Sequence, residues 1–199
     1  MTKVLRLILP ALSFAMALAI APARAQTAPP ARCTGEADIP WSEQITECSK
    51  TIDSGKYAGK DLAKLLIFRG KAHAFIRDFD GSLTDIEQAI QLDPNDAFAA
   101  GARGDVYLLK KDYDHALAAY TKATELDPNS PFAFIGLGMA HIAKGEPDGA
   151  LAAFEQAVQV QPTNAAALYW RGIAKRQNGD LEAAEADIAA ARKIDPSVQ

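Results

Sequence analysis

Four dipeptides constrain this chain more than anything else in it. Asp93-Pro94, Asp127-Pro128, Gln161-Pro162 and Asp195-Pro196 place proline 34 residues apart three times in succession. The same period carries glycine at Gly70, Gly104, Gly138 and Gly172, and alanine at Ala89, Ala123, Ala157 and Ala191. It also carries a large apolar residue at Ile86, Tyr120, Phe154 and Ile188. A period of this length means stacked supersecondary units, none of which can bury its apolar face alone. Proline lacks the backbone donor and disfavours helix in the residue before it, so each marks a boundary between helical segments.

Two helix-period patterns lie between successive prolines. In the second unit, 98–110 is one and 114–126 the other. The turn Lys111-Asp112-Tyr113-Asp114 separates them, with Asp114 as the expected N-cap. The matching breaks are Arg77-Asp78-Phe79-Asp80, Gly145-Glu146-Pro147 and Asn178-Gly179-Asp180, all turn and cap chemistry. Small residues at the Gly70 and Ala89 slots let two helices approach closely. The Ile86-type residues fill the space between pairs.

These marks resemble the tetratricopeptide repeat family, whose pattern asks for small residues, an apolar or aromatic residue and a closing proline at set places in 34. The resemblance covers Ala63 to Pro196. Departures are mild. The slot that usually prefers tyrosine holds His73, Tyr107, His141 and Lys175, and the early second-helix alanine slot opens with Ser82. The resemblance implies an all-α fold: a right-handed α-solenoid of four tandem helix-turn-helix units at about 63–96, 97–130, 131–164 and 165–198, within a repeat domain 60–199. Residues 26–59 would supply an irregular segment and a capping helix at 40–53, where Trp41, Ile45, Cys48 and Ile52 fall at helical spacing.

Residues 1–25 have the layout of a secretory signal peptide. Lys3 and Arg6 precede an apolar run from Leu7 to Ala21, and Ala23-Arg24-Ala25 offers a cleavage site before Gln26. The expected location is periplasmic or secreted. Removal of the segment leaves 18 basic and 25 acidic residues, a formal charge of −7. An acidic chain without a basic run has little attraction for phosphate backbones, so nucleic acid is excluded as a partner, as is membrane insertion after cleavage. Cys33 and Cys48 would meet an oxidising compartment, where a bridge could form; two free thiols are the alternative.

No residues assemble into a catalytic, cofactor or metal motif. His73 and His141 share a repeat slot, and no histidine pair has the spacing of a helical metal site. Asp78-Phe79-Asp80-Gly81 lacks the sixth-place glycine and twelfth-place glutamate of a calcium loop. Gly136-Leu137-Gly138 follows no strand. The chain therefore reads as a non-enzyme.

By the same resemblance, first helices would line a concave groove. Its candidate peptide-binding residues are Ile67 and Lys71; Phe98, Asp105 and Leu108; Phe132, Ile135, Met139 and Ile142; and Tyr169, Ile173 and Arg176. An apolar stripe also serves core packing, so groove and core readings stand side by side. The family's carboxylate clamp for chaperone tails is rejected, because its slots hold Ile67, Lys71, Ala102, Phe132 and Gly136, with Lys71 the one basic residue. The expected function is an envelope adaptor for a protein or peptide. The alternative is a structural solenoid that self-associates through its C-terminal helix.

Overall fold

The structure, a computed structural model, describes residues 30–34 and 38–198. The expected signal peptide at 1–25 lies outside them, as does much of the irregular stretch before Trp41. The described residues form ten helices and no strand. They are α1 (Ala31–Thr34), α2 (Trp41–Asp53), α3 (Gly59–Phe75), α4 (Phe79–Leu92), α5 (Ala97–Leu109), α6 (Tyr113–Leu126), α7 (Pro131–Lys144), α8 (Pro147–Val160), α9 (Ala165–Gln177) and α10 (Leu181–Ile194). Helices α3/α4, α5/α6, α7/α8 and α9/α10 pair as hairpins, each packing on the next, and α2 packs on α3. This is the all-α solenoid that the period implies.

Caps fix where the helices start. Asp96 accepts from the Phe98 and Ala99 amides ahead of α5, Ser130 from Ala133 ahead of α7, and Asn164 from Ala167 ahead of α9. The second helices start on Asp78, Asp112 and Asp180. Asp112, not Asp114, therefore caps α6. Asp114 lies in the first turn, where its carboxylate reaches Lys144 of the next hairpin at 3.0 Å. The start of α3 also differs from the sequence reading. The helix begins at Gly59, four residues before Ala63, and that glycine has φ of 53°.

The hairpin turns repeat one backbone feature. Arg77, Lys111, Gly145 and Gly179, each 34 residues from the last, have φ of 65°, 62°, 84° and 87°. The left-handed region suits glycine; the first two hairpins hold long basic side chains there at a steric cost.

Packing follows the repeat slots. A Cβ added to Gly70 would lie 3.0 Å from Ile86, one on Gly138 2.5 Å from the Phe154 ring, and one on Gly172 2.8 Å from Ile188. The absent side chain is what lets each second helix close on its first. Ala89, Ala123, Ala157 and Ala191 are fully buried on the facing helices. The first and last hairpins add an ion pair. Arg69 meets Asp85 through two hydrogen bonds of 2.8 and 2.6 Å, and Arg171 meets Asp187 through two of 2.7 and 2.6 Å. Arg69 also donates to Ser49 on α2, which ties the capping helix to the first hairpin.

Each end has its own cover. At the N-terminal end, Cys33 and Cys48 are fully buried with Leu65, and their Cα atoms are 4.7 Å apart, a separation a disulfide spans. Gln44 donates to the Cys33 carbonyl, and Arg32 pairs with Glu43. At the other end, α10 holds Glu185 and Arg192 where α8 holds Leu151 and Val158. Those two apolar residues pack into the cluster shared by α7, α8 and α9, whereas Glu185 pairs with Arg176 at 2.6 Å.

Candidate functional site

The first helices of successive hairpins pack side by side, and between α5 and α7 they leave a cleft of about 410 Å³. Alanine and glycine create the space. Ala97, Gly101 and Ala102 on one wall, and Ala133 on the other, have too little side chain to fill it. Larger groups edge it. Phe132 is 73% exposed and Phe98 51%, unusual figures for phenylalanine in a structure that buries Phe154 completely. Leu108, Ile135 and Met139 complete the apolar lining.

Three charged residues border this cleft. The Lys71 ammonium lies 5.0 Å from the centre of the Phe98 ring, an arrangement that favours a cation over the π face. Asp127 stands at the rim and accepts from the Asn129 amide in its own turn. Asp105 accepts a 2.6 Å hydrogen bond from the Tyr120 hydroxyl. Asp105 is exposed overall, though its carboxyl lies against the cleft walls. Desolvation pushes its carboxyl above the ordinary value, against the opposing pull of the Tyr120 hydroxyl and of Lys71. Burial and the neighbouring carboxylate likewise push the Tyr120 phenol up, so it remains a donor.

The apolar surface continues on both sides. A cleft of about 260 Å³ lies among Phe75, Leu108 and Leu109, and one of about 350 Å³ among Leu108, Met139, Ile142 and Trp170. Seven of the sequence-proposed groove residues thus border one cleft: Lys71, Phe98, Asp105, Leu108, Phe132, Ile135 and Met139. Ile142 joins the adjoining one. Tyr169, Ile173 and Arg176 line none of the three; Arg176 is engaged with Glu185, and Tyr169 stands edge-on to Trp170. Ile67 requires a correction. It is fully buried against Ala99, Ala102 and Val106 and belongs to the core.

Sequence reasoning read Tyr120 as a packing residue and did not place its hydroxyl at the cleft. The signal was available: the slot holds Ile86, Phe154 and Ile188 in the other units, and only here a hydroxyl. The histidines are accounted for by the hairpins. His73 approaches Asp78 at 2.7 Å and His141 approaches Glu146 at 2.8 Å, each across its own turn, and His115 stacks on Tyr107. Among the described residues, no group of three or more histidine, cysteine, aspartate or glutamate side chains gathers to hold a metal.

Comparison with known proteins agrees with this architecture. Two family models match: one described as a tetratricopeptide repeat over residues 135–198, and one described as a TPR repeat over 104–145. Among solved structures, a thermophilic TPR protein from Thermus thermophilus superposes with a TM-score of 0.68 at 14% identity, covering 79% of this chain and 84% of that one. MamA from Desulfovibrio magneticus RS-1 gives 0.64 at 21% identity, covering 83% and 90%. Another MamA crystal structure gives 0.63 at 20%, covering 78% and 89%. At these identities the likeness is one of fold. No curated protein matches the chain. With the 34-residue slots filled through four stacked hairpins and both repeat models falling within residues 104–198, the chain carries tetratricopeptide repeats.

Proposed function

We propose that the protein is a non-enzymatic adaptor of the cell envelope that binds an apolar peptide or helix of another protein in its concave groove. The observation that supports this most is the cleft between α5 and α7, with Phe98 and Phe132 held open to solvent over a floor of alanine and glycine. Exposed aromatics beside a preformed apolar cleft are what a peptide-binding surface uses. Phe132→Asp tests the reading. The variant should keep its helix content and lose the partners that the native chain captures from an envelope extract; unchanged capture would remove the groove assignment.

The location rests on residues 1–25 and the buried cysteine pair. Mass spectrometry of the exported protein should find Gln26 at the N-terminus. Thiol labelling of the unfolded, unreduced chain should find Cys33 and Cys48 protected. By loop-closure entropy, a bridge across a separation of 15 residues would stabilise the fold by about 3 kcal/mol, so reduction should lower Tm. Self-association through the C-terminal edge has weaker support. Leu181 and Ile194 are exposed on α10, but Glu185 and Arg192 occupy the slots through which another helix would dock.

A further inference from the structure

Three aspartates, Asp85, Asp187 and Asp105, bond within their own hairpins in two different ways. Asp85 and Asp187 lie between the two helices of their hairpins, and an arginine occupies both oxygens of each. Asp105 is different. One oxygen takes the Tyr120 hydroxyl, no ammonium or guanidinium lies within ion-pair distance among the described residues, and the carboxylate borders an apolar cleft. The nearest candidate, Lys71, is placed over the Phe98 ring.

The fold does not require this arrangement. The equivalents of Asp105 are Lys71, Met139 and Ile173, and the equivalents of Tyr120 are Ile86, Phe154 and Ile188. The other three hairpins close with no hydrogen bond at these slots. Only the second combines a carboxylate on the groove face with a hydroxyl behind it to orient it. A carboxylate that a hydroxyl orients and no counter-charge occupies is ready to accept a donor that enters the cleft. The charged residues of the cleft, Lys71 against Asp105 and Asp127, leave it net negative.

We infer that Asp105, held in place by Tyr120, is the specificity-determining acceptor of the cleft, and that the segment bound there presents a lysine or arginine side chain flanked by apolar residues. This rests on the groove-binding reading above. The apolar part of the ligand would cover Phe98, Phe132 and Met139 while its cation meets Asp105. A cation that meets a carboxylate beside an apolar wall interacts with it more strongly than the same pair in open water.

Selection of a random dodecapeptide library on the purified chain tests the inference, run in parallel on Asp105→Asn, Tyr120→Phe and Phe132→Asp with helix content checked for each. The native chain should enrich apolar peptides carrying a lysine or arginine. Asp105→Asn should still enrich apolar peptides but lose the basic residue, and Tyr120→Phe should weaken that preference. A synthetic peptide of the enriched sequence should lose about tenfold in affinity when its lysine becomes norleucine. Apolar peptides without basic enrichment, as would follow if Lys71 closed on Asp105, would overturn the inference and leave groove binding standing. Basic enrichment that Asp105→Asn leaves intact would do the same. Identical selections by the native chain and Phe132→Asp, or no selection at all, would overturn both.

Discussion

The hydroxyl of Tyr120 donates to Asp105 across 2.6 Å, linking the second helix of a hairpin to the groove-facing side of its first. Desolvation raises the Asp105 carboxyl above its ordinary value. A carboxyl raised in the folded state stabilises the fold when protonated. That contribution is complete below the unfolded-state pKa and is lost as pH rises through the folded-state value. Asp105→Asn cannot ionise and still offers Tyr120 an oxygen. It should melt above the native chain at neutral pH, with the gap closing below about pH 4. Thermal melts across that range check this, and equal melting at neutral pH would mean the carboxylate is well solvated.

Gly136 faces the same ring from the next hairpin. A Cβ added there would overlap Tyr120, whereas one added at Gly101 would meet only the Ala123 methyl at 4.0 Å. Gly136→Ala should destabilise by about 1–3 kcal/mol through forced displacement of a packed ring. Gly101→Ala should instead gain up to about 1 kcal/mol, the helix preference of alanine over glycine. Urea unfolding of the two variants distinguishes them by sign.

Arg171 and Asp187 offer a paired test. The third hairpin fills the same two slots with Leu137 and Ala153. Asp187→Ala alone strands Arg171 and Lys175 in a partly buried position and should cost about 1–3 kcal/mol. Adding Arg171→Leu rebuilds the apolar pair and should recover most of that loss. The carboxyl of Asp187 is opposed by desolvation but held below its ordinary value by Arg171 and Lys175, so its contribution is present above the unfolded-state pKa and lost in acid. The cost of Asp187→Ala should therefore fade as pH drops.

Lys111→Gly should stabilise the chain by roughly 0.5–1 kcal/mol, because the left-handed turn there strains a side chain that Gly145 and Gly179 omit. Arg77→Gly should gain less, since the Arg77 guanidinium lies over the Phe79 ring and that contact would be lost. Chemical denaturation of both variants reads the difference.

The hairpins were legible because proline and glycine recur in phase, and one period repeated four times outweighs any ambiguity within a unit. The Asp112 cap was not, since Asp112 and Asp114 are equally good cap residues and only the turn geometry selects between them. Ile67 and Phe132 show why a groove list from slots is half right. Both are apolar residues on first helices, but Ile67 is fully buried in the cluster that includes Ala99, Ala102 and Val106, while Phe132 stands exposed at the edge of the cleft. Facing depends on neighbours about 34 residues away, which a single helical pattern does not encode. The Arg69/Asp85 and Arg171/Asp187 pairs were readable in principle, as the same two residue types recur 16 apart.

The turn ends of the hairpins hold a further regularity. Where the last turn of the first helix carries His73 or His141, the first turn of the second carries Gly81 or Gly149, and a Cβ on either glycine would come within 3.1 or 2.6 Å of the imidazole. Where the first helix has Tyr107, the second answers with His115, stacked on it; where it has Lys175, the second has Ala183, and the ammonium turns to Asp187. Each side chain has therefore been fitted to one opposite it on the same hairpin. Recombination that joins the front half of one unit to the back half of another would separate these matched partners, whereas exchanging whole hairpins would keep them together. The hairpin, rather than the single helix, is the portable module of this protein.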